Sequence, residues 1–245
     1  MVRTKIEFVN ESTVITDKQA KAVLDPLQIQ VHRDFAPAWG IDADLSFVPK
    51  GAQPSGGSWW IGFFDNSDQA GALGYHDLTN SGLPVGKVFV ESDLQSKSSW
   101  TNDASHELLE MLGDPDINLA AYKPEGKKVI FYAHEVCDAC EDDRYGYKIG
   151  GVLVSDFVFP SWFEGFRKEG STQFDFGKHI TKPFQLLPGG YIGVLSVDSG
   201  RGWHQVDYDA SPRYVSRPRL GSRRQRRSMA REEWQLSRVR RTGPG

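Results

Sequence analysis

Three side chains that can bind a metal or move a proton lie close together in the segment 103–114. His106 and Glu110 are four residues apart, so on a helix their side chains are neighbours on one face. Glu107 lies about 100° further around, because an α-helix has about 3.6 residues per turn. The apolar residues of the segment form a stripe that can pack against a core: Leu108, Leu109, Met111 and Leu112. The segment therefore predicts a short helix that presents one imidazole and two carboxylates.

This arrangement is that of the zinc-binding helix His-Glu-x-x-His, with glutamate in place of the second histidine. A carboxylate is also a zinc ligand, so we predict that His106 and Glu110 bind the metal. Glu107 would be the general base, acting on a water whose pKa the metal lowers toward about 7. The alternative is an ordinary solvated helix face, on which Glu107 only interacts with the positive end of the helix dipole.

A third ligand must come from elsewhere, and the sequence offers several. We favour Glu135, which follows a predicted strand, over Asp138 in the same segment. His134 is a chemically better ligand, and Asp114 lies on roughly the same helix side as His106. Asp114 precedes Pro115, however, and the pair can simply end the helix.

The cysteines follow at helical spacing in His134-x-x-Cys137-x-x-Cys140. Two thiolates and an imidazole can hold a structural zinc, and a Cys-x-x-Cys pair can act in redox chemistry. The chain has no second pair to complete a four-ligand site. We therefore predict that both are buried, unreactive thiols.

Alternation and apolar runs predict the elements that position these residues. Strands are expected at 5–10, 43–48, 59–64, 86–90, 128–132, 192–197 and 203–206, with a hairpin over 147–149 and 151–158. A helix over 18–35 would be kinked or split by Pro26. Residues 101–103 would cap the ligand helix. The stretch 65–84 is predicted to be a polar loop, in which Gly74-Tyr75-His76-Asp77 forms a surface turn or, alternatively, the rim of a substrate cleft.

The composition indicates a globular domain with a basic extension. Of the 245 residues, 39% are hydrophobic and 12% are aromatic, which excludes wholesale disorder. The net charge of −3 conceals an asymmetry: residues 213–245 contain eleven arginines and two glutamates, whereas the rest of the chain carries −12. We predict one domain over 1–207 and a disordered arginine-rich tail over 208–245.

Four segments together resemble a group of uncharacterised bacterial and phage proteins with a zincin-like, metallopeptidase-like fold. They are 86–90, 103–114, 135–138 and 154–163. The resemblance covers about residues 5–207. It implies an α+β fold in which a mixed sheet packs on two helices, with the ligand helix below the sheet and a β-rich C-terminal part. It implies no particular substrate.

These observations predict a zinc-dependent hydrolase of peptides or proteins in which His106, Glu110 and Glu135 bind Zn²⁺ and Glu107 is catalytic. One alternative is a non-catalytic structural or phage-associated protein that retains the fold. Another is a protein that binds nucleic acid or another polyanion through 213–245 by neutralising phosphates. No apolar run is long enough to cross a membrane, so we expect a cytoplasmic or virion-associated protein.

Overall fold

The fold begins with a five-stranded mixed sheet. The computed structural model describes residues 3–69, 72–197 and 202–209. The strands of the first sheet are β1 (Thr4–Asn10), β2 (Ala43–Val48), β3 (Trp59–Phe64), β4 (Gly74–Leu78) and β5 (Pro84–Phe89). Their spatial order is β2-β1-β3-β5-β4, and all pairs are parallel except β4 with β5. The antiparallel β4 therefore forms one edge of the sheet.

A broken helical run connects β1 to β2. It consists of α1 (Asp17–Ala22), α2 (Leu24–Ile29), a π-helical turn (Gln30–Phe35) and α3 (Ala36–Trp39). Thr16 and Gln19 form a capping box at its start, and Gly40, with a φ of 71°, ends it. The run is split at Val23, just before Pro26, as the sequence predicts.

Two helices follow β5: α4 (Val90–Ser96) and α5 (Trp100–Gly113). Helix α5 packs against β5, β4 and β3, and its polar residues are buried as well as its apolar stripe. A closed set of hydrogen bonds joins α5 to the π-helical turn and to Ser155, which follows the strand Val152–Val154. Ser105 Oγ donates to Gln30 Oε1 (2.7 Å) and accepts from the Ser155 N–H (2.9 Å), while Gln30 Nε2 donates to the Ser155 carbonyl (2.9 Å).

The C-terminal half is rich in strands. A four-stranded antiparallel sheet has the order β11-β10-β7-β6, and a separate hairpin pairs β8 with β9. The strands are β6 (Ala120–Glu125), β7 (Lys128–Ala133), β8 (Tyr147–Ile149), β9 (Val152–Val154), β10 (Tyr191–Ser196) and β11 (Trp203–Asp207). Short 3-10 turns occupy Asp138–Cys140 and Pro160–Phe163. The α+β class, with a mixed sheet and a β-rich C-terminal part, is confirmed.

Three sequence-based expectations are wrong. The stretch 65–84 contains a strand, β4, rather than only a polar loop, because residues 74–78 pair with β5 along the sheet edge. Helix α4 and strand β6 were not expected, because each is short and polar, as the loops that connect elements are. Helix α5 begins three residues before Asp103, with Ser99 as its N-cap residue, so residues 101–103 form its first turn instead of its cap.

The arginine-rich segment 213–245 lies outside the described residues, so its predicted disorder and its binding to polyanions stay predictions. Within the described ranges, the helices are all too short or too polar to traverse a lipid bilayer.

Candidate metal centre

Six side chains that can bind a metal converge between α5, β4 and the segment after β7. Each side chain is only 4–7% exposed. We call this set the acidic cluster: His76, His106, Glu107, Glu110, Glu135 and Asp138. The polar face of α5 is therefore buried in the protein, and the alternative of a solvated helix surface is wrong.

The predicted pair on α5 has the separation that a shared ion requires. His106 Nε2 lies 3.3 Å from Glu110 Oε2 and 3.4 Å from Asp138 Oδ1. Two ligand atoms on one tetrahedral zinc, each bonded at about 2.1 Å, lie roughly 3.4 Å apart. His106 and Glu110 can therefore share one ion with little rearrangement. Asp138 lies at ligand distance from His106 but, like Glu135, is outside the groups whose ligand atoms all lie within 4.8 Å of one another.

Backbone N–H groups of the segment after β7 bind one carboxylate oxygen of Glu110. Its Oε1 accepts the backbone N–H groups of Cys137 (3.2 Å) and Asp138 (3.3 Å). These bonds orient the other oxygen, Oε2, toward the imidazoles. The carboxylate thus has one oxygen engaged by backbone and the other directed into the acidic cluster.

His76 is the cluster residue that sequence analysis assigned only to a surface turn or a cleft rim. Its Nδ1 lies 3.5 Å from Glu107 Oε2 and 3.5 Å from Glu110 Oε2. Its Nε2 lies 3.6 Å from Glu135 Oε2. The turn assignment is wrong, because residue 76 pairs with Gly86 in the middle of the β4–β5 ladder.

Two glycines allow α5 to approach β4 and β5 closely. A Cβ atom at Gly74 would lie 2.6 Å from Glu107 Oε1, and one at Gly86 would lie 2.9 Å from Ile61 Cγ1 and 3.6 Å from Glu107 Cβ. A side chain at either position would therefore displace Glu107 or the sheet beneath it. Glycines at these positions, together with a histidine between them, are the sequence signal for this contact.

The protonation of the acidic cluster follows from its burial and its internal charges. Burial opposes ionisation of Glu110, but the neighbouring His106 outweighs it and lowers the pKa of Glu110 to about 2. Burial likewise opposes the charged form of His106, yet Glu110 and Asp138 raise its pKa well above the ordinary value. Burial and the charge of Glu110 raise the pKa of Asp138 to about 7. Burial also raises that of Glu107 well above its usual range.

Tyr191 on β10 borders the same acids. Burial, and next the charge of Asp138, hold the pKa of its phenol well above the ordinary value. The hydroxyl therefore stays protonated at neutral pH and can donate a hydrogen bond. No spacing pattern in the sequence connects Tyr191 with the acids, because it is far along the chain from α5.

The other candidate ligands have different surroundings. Asp114 is fully buried, and its two oxygens accept the N–H groups of Asn118 (2.9 Å) and Leu119 (3.1 Å), which shapes the turn after α5. The ring of His134 stacks on Phe163, with centroids 4.5 Å apart. Neither residue belongs to a group of described ligand atoms that could share an ion.

Both cysteines are buried free thiols, as predicted. Burial raises the pKa of each thiol well above its ordinary value, so neither is reactive in the folded protein. Within the described residues, no ligand group combines His134 with the two cysteines. Cys137 does lie near His106 and Glu110, at the edge of the acidic cluster.

Buried ligand atoms in this part of the protein form two groups that can hold a metal ion, each with its atoms within 4.8 Å of one another. One consists of His106, Glu110 and Cys137, and the other of His76, Glu107 and Glu110. Glu135 belongs to neither, so its predicted role as third ligand stays a prediction. Comparison with family models, with curated proteins and with solved structures gives no match to this chain.

Proposed function

We propose that this protein is a zinc-dependent hydrolase with a zincin-like fold that cleaves peptide bonds. The observation that carries the proposal is the buried acidic cluster, in which an imidazole and carboxylates lie at ligand distances beside a further glutamate. Packing of the ligand-bearing α5 against a mixed sheet supports the zincin-like assignment.

The residues best suited to hold the cation are His106 and Glu110, whose ligand atoms lie 3.3 Å apart. The third ligand would be Asp138, 3.4 Å from His106 Nε2, or the Cys137 thiol, which lies within 4.8 Å of both. A bound Zn²⁺ would act as a Lewis acid and make water acidic enough to ionise near neutral pH. Metal ligands bind in their deprotonated form, so cation binding would release the protons held by His106 and Asp138.

Glu107 has the position of the general base. It follows the first ligand directly, and its Oε2 faces the centre of the acidic cluster, 3.5 Å from His76 Nδ1. The close approach of Gly74 restricts its carboxylate to that direction. Burial raises the pKa of Glu107, so its carboxylate becomes available as a base only when the charge of a bound cation lowers that pKa again. We infer that the ionised Glu107 then accepts the proton of the attacking water and transfers it to the leaving amine.

The test is zinc analysis of the purified protein together with peptide hydrolysis. We expect the variant Glu107→Gln to retain the cation held at His106 and to lose hydrolysis by at least 100-fold. His106→Ala should lose that cation, and the exposed Glu11→Gln serves as the matched control. Absence of bound zinc in the wild-type protein would overturn the proposal, and full activity of Glu107→Gln would overturn the base assignment.

The third ligand can be identified in the same experiment. We expect Asp138→Asn to weaken binding of the cation at His106, because Asp138 Oδ1 lies next to that imidazole. Glu135→Gln should leave this binding intact, because Glu135 contacts His76. Loss of the His106 cation in Glu135→Gln would instead support Glu135 as ligand.

A second candidate function is that of a non-catalytic protein stabilised by a metal. The burial of the acidic cluster favours it, since a substrate must reach side chains that are only 4–7% exposed. Two surface clefts lie elsewhere, one between α1–α2 and β2 and one beside Arg33 and Phe159. Bound zinc without hydrolysis of any peptide in a mixed library would support this candidate.

A further inference from the structure

We propose that the acidic cluster has a second divalent-cation site, formed by His76, Glu107 and Glu110, whose occupation takes up the carboxylate of the general base. The inference rests on the proposed function for its catalytic consequence, but the second site itself stands on the geometry. It predicts a protein that binds two cations and that is inhibited by excess metal.

The ligand atoms in and beside the acidic cluster form two groups. One group contains His106 and the other contains His76, and Glu110 belongs to both. Glu110 Oε2 lies 3.3 Å from His106 Nε2 and 3.5 Å from His76 Nδ1, so this oxygen sits between the two imidazoles. A carboxylate in that position can bridge two cations.

A single cation cannot readily use both imidazoles. Ligand atoms on one tetrahedral ion lie roughly 3.4 Å apart. Within the described ranges, no group of ligand atoms inside 4.8 Å contains both histidines. Each imidazole therefore has its own ion position, with Glu110 in common.

The charge of the acidic cluster supports two cations. Its four carboxylates face two imidazoles, and none of its ion pairs among the described residues includes a lysine or arginine. With all four carboxylates ionised and both imidazoles neutral, as metal binding requires, one divalent cation would leave two buried negative charges, which are costly without partners. Two divalent cations would balance all four.

Glu135 supports the orientation of His76 for this role. It lies at Nε2, the ring nitrogen opposite the one that faces Glu107 and Glu110. The Glu135 Oε2–His76 Nε2 distance of 3.6 Å is that of an ion pair and not of a hydrogen bond, so the carboxylate acts on the imidazole through its charge. We assign Glu135 as a positioning residue for His76.

The second cation should bind more weakly than the first. The two ions share one ligand and repel each other across a short distance. A cation in the second site would be coordinated by the Glu107 carboxylate, which could then no longer accept the proton of the attacking water. Hydrolysis should therefore rise with the first equivalent of metal and fall with the second.

The experiment is a titration of the metal-free full-length protein with Zn²⁺ in equilibrium dialysis. We expect two equivalents for the wild-type protein and one for His76→Gln, which should keep the tighter equivalent. His106→Gln should lose the tighter equivalent, and His204→Gln, on β11 outside the acidic cluster, should bind two. Saturation of the wild-type protein at one equivalent would overturn the second site and leave the proposed function standing. Absence of binding would overturn both.

A measurement on the unmodified protein guards against variants that fail to fold. Mn²⁺ gives a six-line electron paramagnetic resonance spectrum when isolated, and two ions that share a ligand couple magnetically. We expect the spectrum of the first equivalent to lose its six-line form as the second binds. Two equivalents with unchanged, additive six-line spectra would place the second ion away from Glu110 and overturn the proposal.

Discussion

The substitution Asp93→Asn should stabilise the protein increasingly as pH rises. Asp93 lies on α4 with its side chain fully buried. Burial first, and then the facing carboxyl of Asp103, raise the pKa of Asp93 to about 10. The charges of Asp143 and Glu107 act in the same direction. The folded protein therefore keeps a proton on Asp93 at neutral pH.

The magnitude follows from proton linkage. An unfolded aspartate releases its proton near pH 3.8, whereas folded Asp93 retains it to about pH 10. Between these values the folded state binds one more proton than the unfolded state, so the free energy of unfolding falls by about 1.4 kcal/mol per pH unit. At pH 7 this reaches at most about 4 kcal/mol.

Asparagine preserves the shape of the side chain and removes this titration. Burial of its amide offsets part of the gain, by about 1–3 kcal/mol. We therefore expect Asp93→Asn to raise the free energy of unfolding by about 2 kcal/mol at pH 7. Below pH 4 the variant should instead be less stable than the wild type by about 1–3 kcal/mol, because the wild-type carboxyl is then protonated in both states and only the cost of burying the amide remains.

The assay is urea unfolding of metal-free protein, followed by tryptophan fluorescence at pH 4, 5, 6, 7 and 8. The difference between variant and wild type should grow with pH by about 1.4 kcal/mol per unit. The exposed Asp25→Asn should show no such growth. A pH-independent difference, or a variant that is less stable throughout, would refute the assignment of a retained proton.

Three further predictions concern other parts of the chain. Gly74→Ala should weaken binding of the second Zn²⁺ equivalent by at least 10-fold, since the new Cβ would lie 2.6 Å from Glu107 Oε1; Gly56→Ala, which adds a Cβ in open space, should not change it. Hydrogen bonds outweigh burial and lower the pKa of Asp65 to about 2, so its stabilisation is present above about pH 4 and lost as pH falls toward 2. Asp65→Asn should therefore lower the free energy of unfolding by about 1 kcal/mol at pH 7 and have little effect at pH 2. Deletion of 213–245 should abolish retention on heparin at low salt, and unchanged retention would exclude this segment as the polyanion site.

Local patterns predicted much of the fold. Apolar stripes and alternation identify α5, the parallel strands and the hairpin, because these signals depend on neighbours within a few residues. The split at Val23 follows from Pro26 alone. Strand β4 escaped prediction, because its five residues, Gly-Tyr-His-Asp-Leu, show no alternation of apolar and polar side chains.

The candidate site could be predicted only in part for a related reason. His106, Glu107 and Glu110 lie on one helix, so their spacing is visible in the sequence. His76 lies thirty residues earlier, and only the pairing of β4 with β5 brings its imidazole to within 3.5 Å of Glu110. No spacing rule connects residues across such a ladder.

Burial of the polar face of α5 links metal binding to folding. Four acids on or near this helix lie in the interior, where each opposes folding unless it is protonated or paired: Asp93, Glu107, Glu110 and Asp138. A cation that binds only the folded state adds RT ln(1 + [L]/Kd) to the free energy of unfolding, which is about 2.7 kcal/mol at a hundredfold excess over Kd. Of these acids, Glu107 and Glu110 belong to the groups that could hold an ion, so a cation bound there would offset part of the cost of their burial and stabilise the folded protein.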